Sequence, residues 1–310
     1  MTLTVIAGSA NVALANSVSA ELGVKPCGRV VQRFADGELH VEIEESVRGH
    51  DVYVIQPTSL PVDEHVMELL FLADACRRAG AARLTAIVPY FGYARQDRRA
   101  SGREAVGAHV IAGLIEAAGF ARVVAIDLHT PEIEGFFHIP LEHLSAARLL
   151  AEAVRTTSDT VIVAPDLGAV NLAERYQALL HLPVAVLHKT RLSGQEVSLR
   201  GIIGDVKDRA PLIVDDMITT GATVEAAVKG LLEAGCKPDV SIVATHALFV
   251  GPAVARLQAL PIRQLIGTDT VALTTEVSSP LQVVNVAPMI SDTIARLHRD
   301  QSLENLLAHA

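Results

Sequence analysis

Short runs of β-branched and aliphatic residues recur along the chain with helix-length segments between them, and few folds satisfy that alternation. The runs are Val52–Ile55, Leu84–Val88, Val123–Ile126, Val161–Ala164, Pro183–Leu187, Leu212–Val214 and Val240–Ala244. Repetition of strand and helix in this way is the pattern of parallel strands wrapped by helices, an α/β fold. Between the first two runs, Val66, Leu69, Leu70, Ala73 and Cys76 fall on one helical face, and Gly80 stands where a C-terminal cap is wanted. The 310 residues, half of them hydrophobic, suffice for two medium cores.

The two halves also match each other. Strand 52–55, a helix ending Ala79-Gly80-Ala81, strand 84–88 and Tyr90-Phe91-Gly92 form one series. Strand 212–214, a helix ending Ala234-Gly235-Cys236, strand 240–244 and Leu248-Phe249-Val250-Gly251 form the other. The expectation is two duplicated domains, 1–147 and 148–310, each a mainly parallel sheet flanked by helices. A chance likeness of two strand-helix-strand units is the alternative, because α/β chains repeat that unit in any case.

The copies differ where it matters. The second has Asp215-Asp216 at the end of its strand and Thr219-Thr220-Gly221-Ala222-Thr223 opening its helix; the first has Gln56-Pro57-Thr58-Ser59 instead. Backbone N–H groups at a helix start, together with the helix dipole, favour an anion such as phosphate. Two acids one strand-end away suit the vicinal hydroxyls of a sugar. Ordinary strand-to-helix punctuation, with Thr220 or Thr223 as N-cap, explains the Thr and Gly but not the paired acids.

Charge and cysteine content narrow the partners. A net charge of −9 argues against nucleic acid held by a broad basic field. Cys27, Cys76 and Cys236 are widely spaced without a Cys-x-x-Cys pair, so neither a disulfide framework nor a thiolate metal site is expected. No basic start leads into an apolar run, and no stretch of roughly 18 apolar residues occurs. The expectation is a cytoplasmic protein without a membrane partner.

Further polar clusters follow other strands. Pro89 to Arg99 holds Tyr90, Tyr93, Arg95, Gln96, Arg98 and Arg99, planar donors and aromatic surface at a strand end; a solvated basic loop over packed aromatics explains them equally well. Asp36-Gly37-Glu38 alone is a turn signal. His129 and Asp166 follow two other strands and could share a divalent cation, although a lone His is more often a hydrogen-bonded structural residue. Lys189 and Arg191 alternate, so on an extended backbone entering a polar loop they point the same way, which suits charge on a transferring phosphoryl group.

Taken together, these stretches resemble the ribose-phosphate pyrophosphokinase family. The 212–223 stretch is similar to the phosphoribosyl-pyrophosphate loop that this family shares with phosphoribosyltransferases, and 89–99 matches a pyrophosphokinase signature nearly residue for residue. The resemblance implies two phosphoribosyltransferase-type domains and transfer of pyrophosphate from Mg²⁺-ATP to ribose 5-phosphate, with release of AMP. It further implies that Asp36, Gly37, Glu38, Arg95 and Gln96 hold ATP, and that His129 and Asp166 help place Mg²⁺. By the same likeness Lys189 and Arg191 are catalytic, and Arg191, Asp215, Asp216 and Thr219 to Thr223 hold ribose 5-phosphate. A homo-oligomer, by family resemblance a hexamer, is implied as well. The chain departs from the family pattern at Thr219, where Asp is common, at His188 before the catalytic Lys, and at Ala105, Val106 and His109, where a Pro-Ile pair and a Lys are usual. The last group borders the regulatory region of phosphate-activated members, so weak or absent activation by phosphate is expected. The alternatives are a phosphoribosyltransferase, which would not need Arg95, Gln96, Lys189 or Arg191, and a non-catalytic regulatory relative, which would be expected to lose the 189–191 element. The P-loop pattern GxxxxGK[ST] is absent.

Overall fold

The computed structural model describes residues 1–191, 197–273 and 281–308, with the backbone alone at 189–191 and 197–200. The chain forms two compact units. One comprises Met1–Ser145, Thr270–Ala272 and Asn285–Ala310; the other comprises Ala146–Asp269 and Leu273–Val284.

The first unit contains, in order, β1 (Leu3–Ala7), α1 (Val12–Leu22), β2 (Arg29–Arg33), β3 (Leu39–Ile43), β4 (Asp51–Ile55), α2 (Val62–Arg78), β5 (Arg83–Val88), α3 (Gly107–Ala118), β6 (Arg122–Ile126) and β7 (Leu141–Leu144). Strands β1-β4-β5-β6-β7 form a five-stranded parallel sheet. Every residue of β4 is buried, which is why this strand reads as a continuous apolar run rather than an alternation. Strands β2 and β3 form a separate antiparallel ribbon that the apolar-run pattern did not mark.

The second unit contains α4 (Ala147–Ala153), β8 (Thr160–Ala164), α5 (Val170–Leu180), β9 (Val184–Arg191), β10 (Val197–Ile203), β11 (Ala210–Ile218), α6 (Ala222–Glu233), β12 (Val240–Ala247), α7 (Ala253–Gln258), β13 (Ile262–Thr268) and β14 (Leu281–Val284). Its seven strands lie in the order β10-β9-β8-β11-β12-β13-β14, all parallel except β10, which runs antiparallel to β9 at one edge.

The likeness between the halves extends to hydrogen bonds. Helix α2 buries Val66, Leu69, Leu72, Ala73 and Cys76, with Leu70 half-buried beside them, each large aliphatic contributing about 1.5–3 kcal/mol. It ends on Gly80 at φ 86°, where Gly80 N donates to Arg77 O and Ala81 N to Cys76 O. Helix α6 ends on Gly235 at φ 85°, where Gly235 N donates to Leu232 O and Cys236 N to Leu231 O. Both stops need a residue that tolerates positive φ, and glycine does so without a Cβ penalty.

The last helix, α8 (Ala287–His298), belongs with the first unit, whereas the expected second domain ran to Ala310. It packs on α1, and Asp51 at the start of β4 receives hydrogen bonds from Arg83 and His298. An amphipathic sequence states that a helix must bury one face, not which sheet receives it. Among the described residues no helix is long and apolar enough to cross a membrane, and Cys27, Cys76 and Cys236 are buried free thiols.

Candidate functional site

In the second unit the paired acids do not end their strand. Strand β11 continues through Asp215 and Asp216 to Ile218, because β12 runs alongside it to Ala247 with Asp215 opposite Ala244 and Ile218 opposite Ala247. On its other side β8 pairs β11 only up to Ile213. The two acids therefore occupy the stretch where β11 has outrun β8, and both side chains are half-buried. Asp166, which follows β8, is exposed and accepts a hydrogen bond from Gly168 N at 2.9 Å. Burial pushes the Asp215 carboxyl well above the usual carboxylate range, and the charges of Asp216 and then Asp166 push it the same way. The three carboxylates thus form one patch of concentrated negative charge.

The loop after β11 is held by its carbonyls. Ile218 O accepts from Leu248 N and Phe249 N at 3.0 and 3.1 Å, Thr219 O from Val250 N at 2.8 Å, and Thr220 O from Arg256 Nη1 at 3.1 Å. A planar trans peptide points its C=O and N–H in opposite directions. The N–H groups of Thr219, Thr220 and Gly221 consequently face away from the 248–256 segment, forming an amide edge at the start of α6. The N-cap of α6 is Gly221 and no side chain caps it, so neither Thr220 nor Thr223 is the N-cap residue that ordinary punctuation would supply. Arg256 also pairs with Glu225 at 3.2 Å, bracing loop and helix together. No sequence signal marked Arg256 or Glu225, since their contact with the loop arises only when α7 packs beside α6.

Gly221 sits at φ 74°, and a Cβ there would meet only ordinary contacts, Ala253 Cα at 3.6 Å among them. The cost of Gly221→Ala is therefore conformational, and urea unfolding should show a loss of about 1–2 kcal/mol. A neutral result would mean that the loop relaxes out of the left-handed conformation.

Lys189, Thr190 and Arg191 lie on β9, opposite Leu199, Ser198 and Val197 of β10, so the backbone is extended through both cationic positions. Strand β8 pairs β9 only at Val184 to Val186, so Lys189 and Arg191 stand on a two-stranded extension past the end of that pairing. Their side chains, and the 192–196 segment, fall outside the described residues.

In the first unit, the 89–99 segment is shaped from beneath. Gly92 N donates to Thr58 Oγ1 at 2.6 Å, and a Cβ on Gly92 would come within 2.4 Å of Thr58 O. Buried Gln56 accepts from Ala10 N at 3.0 Å, fixing the turn after β1. The stretch Gln56 to Ser59, which occupies the place of the second copy's acids, has thus become packing support. Tyr90 and Phe91 are buried and Tyr93 donates its hydroxyl to Asp63, while Arg95 and Gln96 are exposed. Tyr90, Tyr93, Arg95, Gln96 and the 60–64 segment line a cleft of about 690 Å³. Aromatic walls with one guanidinium and one amide suit a planar base carrying phosphates.

Asp36, Gly37 and Glu38 form the exposed turn between β2 and β3, with Gly37 at φ 94° and Asp36 Oδ1 accepting from Glu38 N at 3.1 Å. Arg33 pairs with Glu64 at 2.6 Å, tying the ribbon to a residue of the cleft. The turn residues themselves are not among those lining it.

His129 is exposed, directly after buried Asp127 and Leu128 at the end of β6. Asp127 adopts φ 38°, held by Asp127 N to Leu144 O at 2.9 Å and Ser145 Oγ to Asp127 Oδ1 at 2.8 Å. Thr130 Oγ1 donates to Asp97 Oδ2 at 3.0 Å, linking the His129 segment to the Arg95–Gln96 segment. Among the described residues no group of three or more His, Cys, Asp or Glu could hold a metal ion. Magnesium does not require one, since it keeps several waters and binds through one or two carboxylates plus substrate phosphates. Asp166, exposed and near enough to bear on the Asp215 carboxyl, has the oxygen donors such a cation takes.

Two family models match successive parts of the chain. Residues 3–119 match the family described as the N-terminal domain of ribose phosphate pyrophosphokinase, and residues 133–259 match the phosphoribosyl transferase domain family. A ribose-phosphate pyrophosphokinase of Gloeobacter violaceus is 43% identical over 308 residues, spanning 98% of this chain and 92% of the relative. One from Caldanaerobacter subterraneus is 41% identical over 308 residues, spanning 98% and 97%. The crystal structure of phosphoribosylpyrophosphate synthetase from Mycobacterium smegmatis superposes with a TM-score of 0.91 at 39% identity, covering 97% of this chain and all of the other.

Proposed function

Because this chain belongs to the ribose-phosphate pyrophosphokinase family, we propose that it transfers the β,γ-pyrophosphoryl group of Mg²⁺-ATP to the 1-hydroxyl of ribose 5-phosphate, yielding 5-phosphoribosyl 1-pyrophosphate and AMP. The observation that carries the reading is the amide edge at Thr219 to Gly221, turned outward because its carbonyls are taken by residues 248–256. The 5-phosphate binds there, on Thr219, Thr220, Gly221, Ala222 and Thr223. Asp215 and Asp216 accept the sugar's vicinal hydroxyls.

Arg95 and Gln96 hold ATP, and Asp36, Gly37 and Glu38 contribute to the same task. The C1 hydroxyl oxygen bonds to the β-phosphorus as the bond from that phosphorus to the α,β-bridging oxygen breaks; AMP leaves with the bridging oxygen, and the hydroxyl proton passes to solvent. Lys189 and Arg191 stabilise the charge that spreads over the transferring group, and Arg191 also steadies the sugar phosphate. His129 and Asp166 hold Mg²⁺, which supplies neutralisation of the polyphosphate charge when bound. The protein acts in the cytoplasm, in keeping with three buried free thiols, and assembles as a homo-oligomer, by family likeness a hexamer.

The test is release of AMP from ATP and ribose 5-phosphate with no nucleobase present. A phosphoribosyltransferase gives no AMP under those conditions, and a regulatory relative gives none until a partner chain is added. The departures at Ala105, Val106 and His109 carry a second expected result: the rate rises little with added inorganic phosphate and shows no cooperative inhibition by ADP. A steep phosphate activation in a purified sample would overturn it.

A further inference from the structure

Within the first unit, the segment that presents His129 is held by a buried histidine paired with a half-buried glutamate. His143 lies on β7 with a side chain only 7% exposed. Leu128 N donates to its Nε2 at 2.9 Å, so Nε2 is the unprotonated nitrogen. The proton of the neutral ring is then on Nδ1, which donates to Glu134 Oε1 at 3.0 Å. Glu134 therefore selects the tautomer and turns the ring so that Nε2 meets the Leu128 amide.

The held peptide lies immediately before His129. Leu128 is buried in the apolar core while His129 is exposed, so the chain must turn outward at this one link. Asp127 already sits at φ 38°, a backbone conformation unfavourable for a residue with a Cβ, and stays there only because its surroundings hold it. The tail secures β7 in turn: Ala308 N donates to His143 O at 2.7 Å, and Leu307 pairs antiparallel with Leu144.

We propose that His143, oriented by Glu134, is a positioning residue that fixes the direction in which His129 is presented to the metal. The proposal rests on His129 being a magnesium ligand. An apolar side chain would fill the same space, but it would leave the Leu128 N–H without its acceptor and the turn free to relax. Groups that orient a metal ligand without touching the ion typically change affinity by about 10–100-fold when lost.

The experiment compares the wild type with His143→Leu, His143→Asn and His143→Gln. Gln can place an amide oxygen near the position of Nε2, whereas Asn reaches only as far as Nδ1. Mn²⁺ binding to the protein is followed by loss of the free-ion electron paramagnetic resonance signal with no ATP present to chelate the ion, and AMP release is measured against Mg²⁺ concentration. The Leu and Asn variants should bind Mn²⁺ about tenfold more weakly and need correspondingly more Mg²⁺, with the KM for ribose 5-phosphate unchanged; the Gln variant should recover most of the loss. A Leu variant with a lowered unfolding midpoint but wild-type Mn²⁺ affinity would reduce His143 to a structural residue. Equal impairment of Gln and Asn would overturn the proposal as well, and that pair decides the matter if the Leu variant does not fold. A wild type that binds Mn²⁺ but releases no AMP strikes the catalytic reading alone, leaving the positioning claim to the binding series; one that binds no Mn²⁺ overturns both.

Discussion

Lys189→Ala is expected to slow AMP release from ATP and ribose 5-phosphate by about 10²–10³, roughly 2.7–4 kcal/mol of transition-state stabilisation. In pyrophosphoryl transfer the protein makes and breaks no bonds of its own, so the rate depends on how well fixed charge meets the charge spreading over the phosphoryl oxygens. Lys189 is carried on the part of the β9–β10 hairpin that extends past the β8 pairing. A residue so placed is held by one neighbouring strand rather than two. The loss should therefore fall on kcat with little change in the affinity for ribose 5-phosphate, which is assigned to the separate loop at 219–223. A decrease below about tenfold, roughly 1.4 kcal/mol, would remove Lys189 from the centre of the mechanism.

The second large effect lies away from the chemistry. Asp51 is fully buried and accepts two hydrogen bonds from Arg83, at 2.7 and 2.6 Å, one from Tyr53 at 2.9 Å and one from His298 at 2.8 Å. Arg83 also donates to Leu297 O at 3.2 Å, at the end of α8. Asp51→Ala would strand the Tyr53 hydroxyl and part of the guanidinium, and should cost about 3 kcal/mol, the low end for a broken buried pair because Arg83 remains one-third exposed. Burial alone would raise the Asp51 carboxyl, but hydrogen bonds from Arg83, His298 and Tyr53 outweigh it and hold the group below the usual carboxylate range. Its stabilising contribution is complete above the unfolded value of about 3.9 and is lost as pH falls through the lower folded value. Urea unfolding between pH 7 and pH 3 should show the wild type's advantage over Asp51→Ala beginning to fall once pH drops below about 3.9. An advantage that persisted unchanged to pH 3 would mean that the carboxylate is not what holds α8.

Much of this architecture is legible in the sequence because it follows from local rules. A central parallel strand is buried on both faces, so β4 and β8 appear as unbroken apolar runs. Helices α2 and α6 declare their stops through Gly80 and Gly235, residues that reach positive φ without cost. The ribbon of β2 and β3 escapes the same reading: its strands are half-exposed and carry Arg29, Gln32, Arg33 and Glu42 among their apolar residues. Strand β11 outruns its apolar run for a related reason. Adjacent acids ordinarily end a strand, yet pairing with a long β12 carries the backbone on to Ile218.

Local residue pattern carries the repeated strand-helix order, the paired acids ahead of a small-residue helix start, and the kinds of side chain available for a sugar phosphate and a nucleotide. The direction in which the 218–221 peptides face, the return of α8 to the first unit, and the reach of His143 on β7 to the amide beside His129 arise from long-range packing. The first group rests on preferences that each residue and its near neighbours carry with them. The second rests on hydrogen bonds between residues far apart in the chain, and their partners are chosen by packing rather than by local pattern.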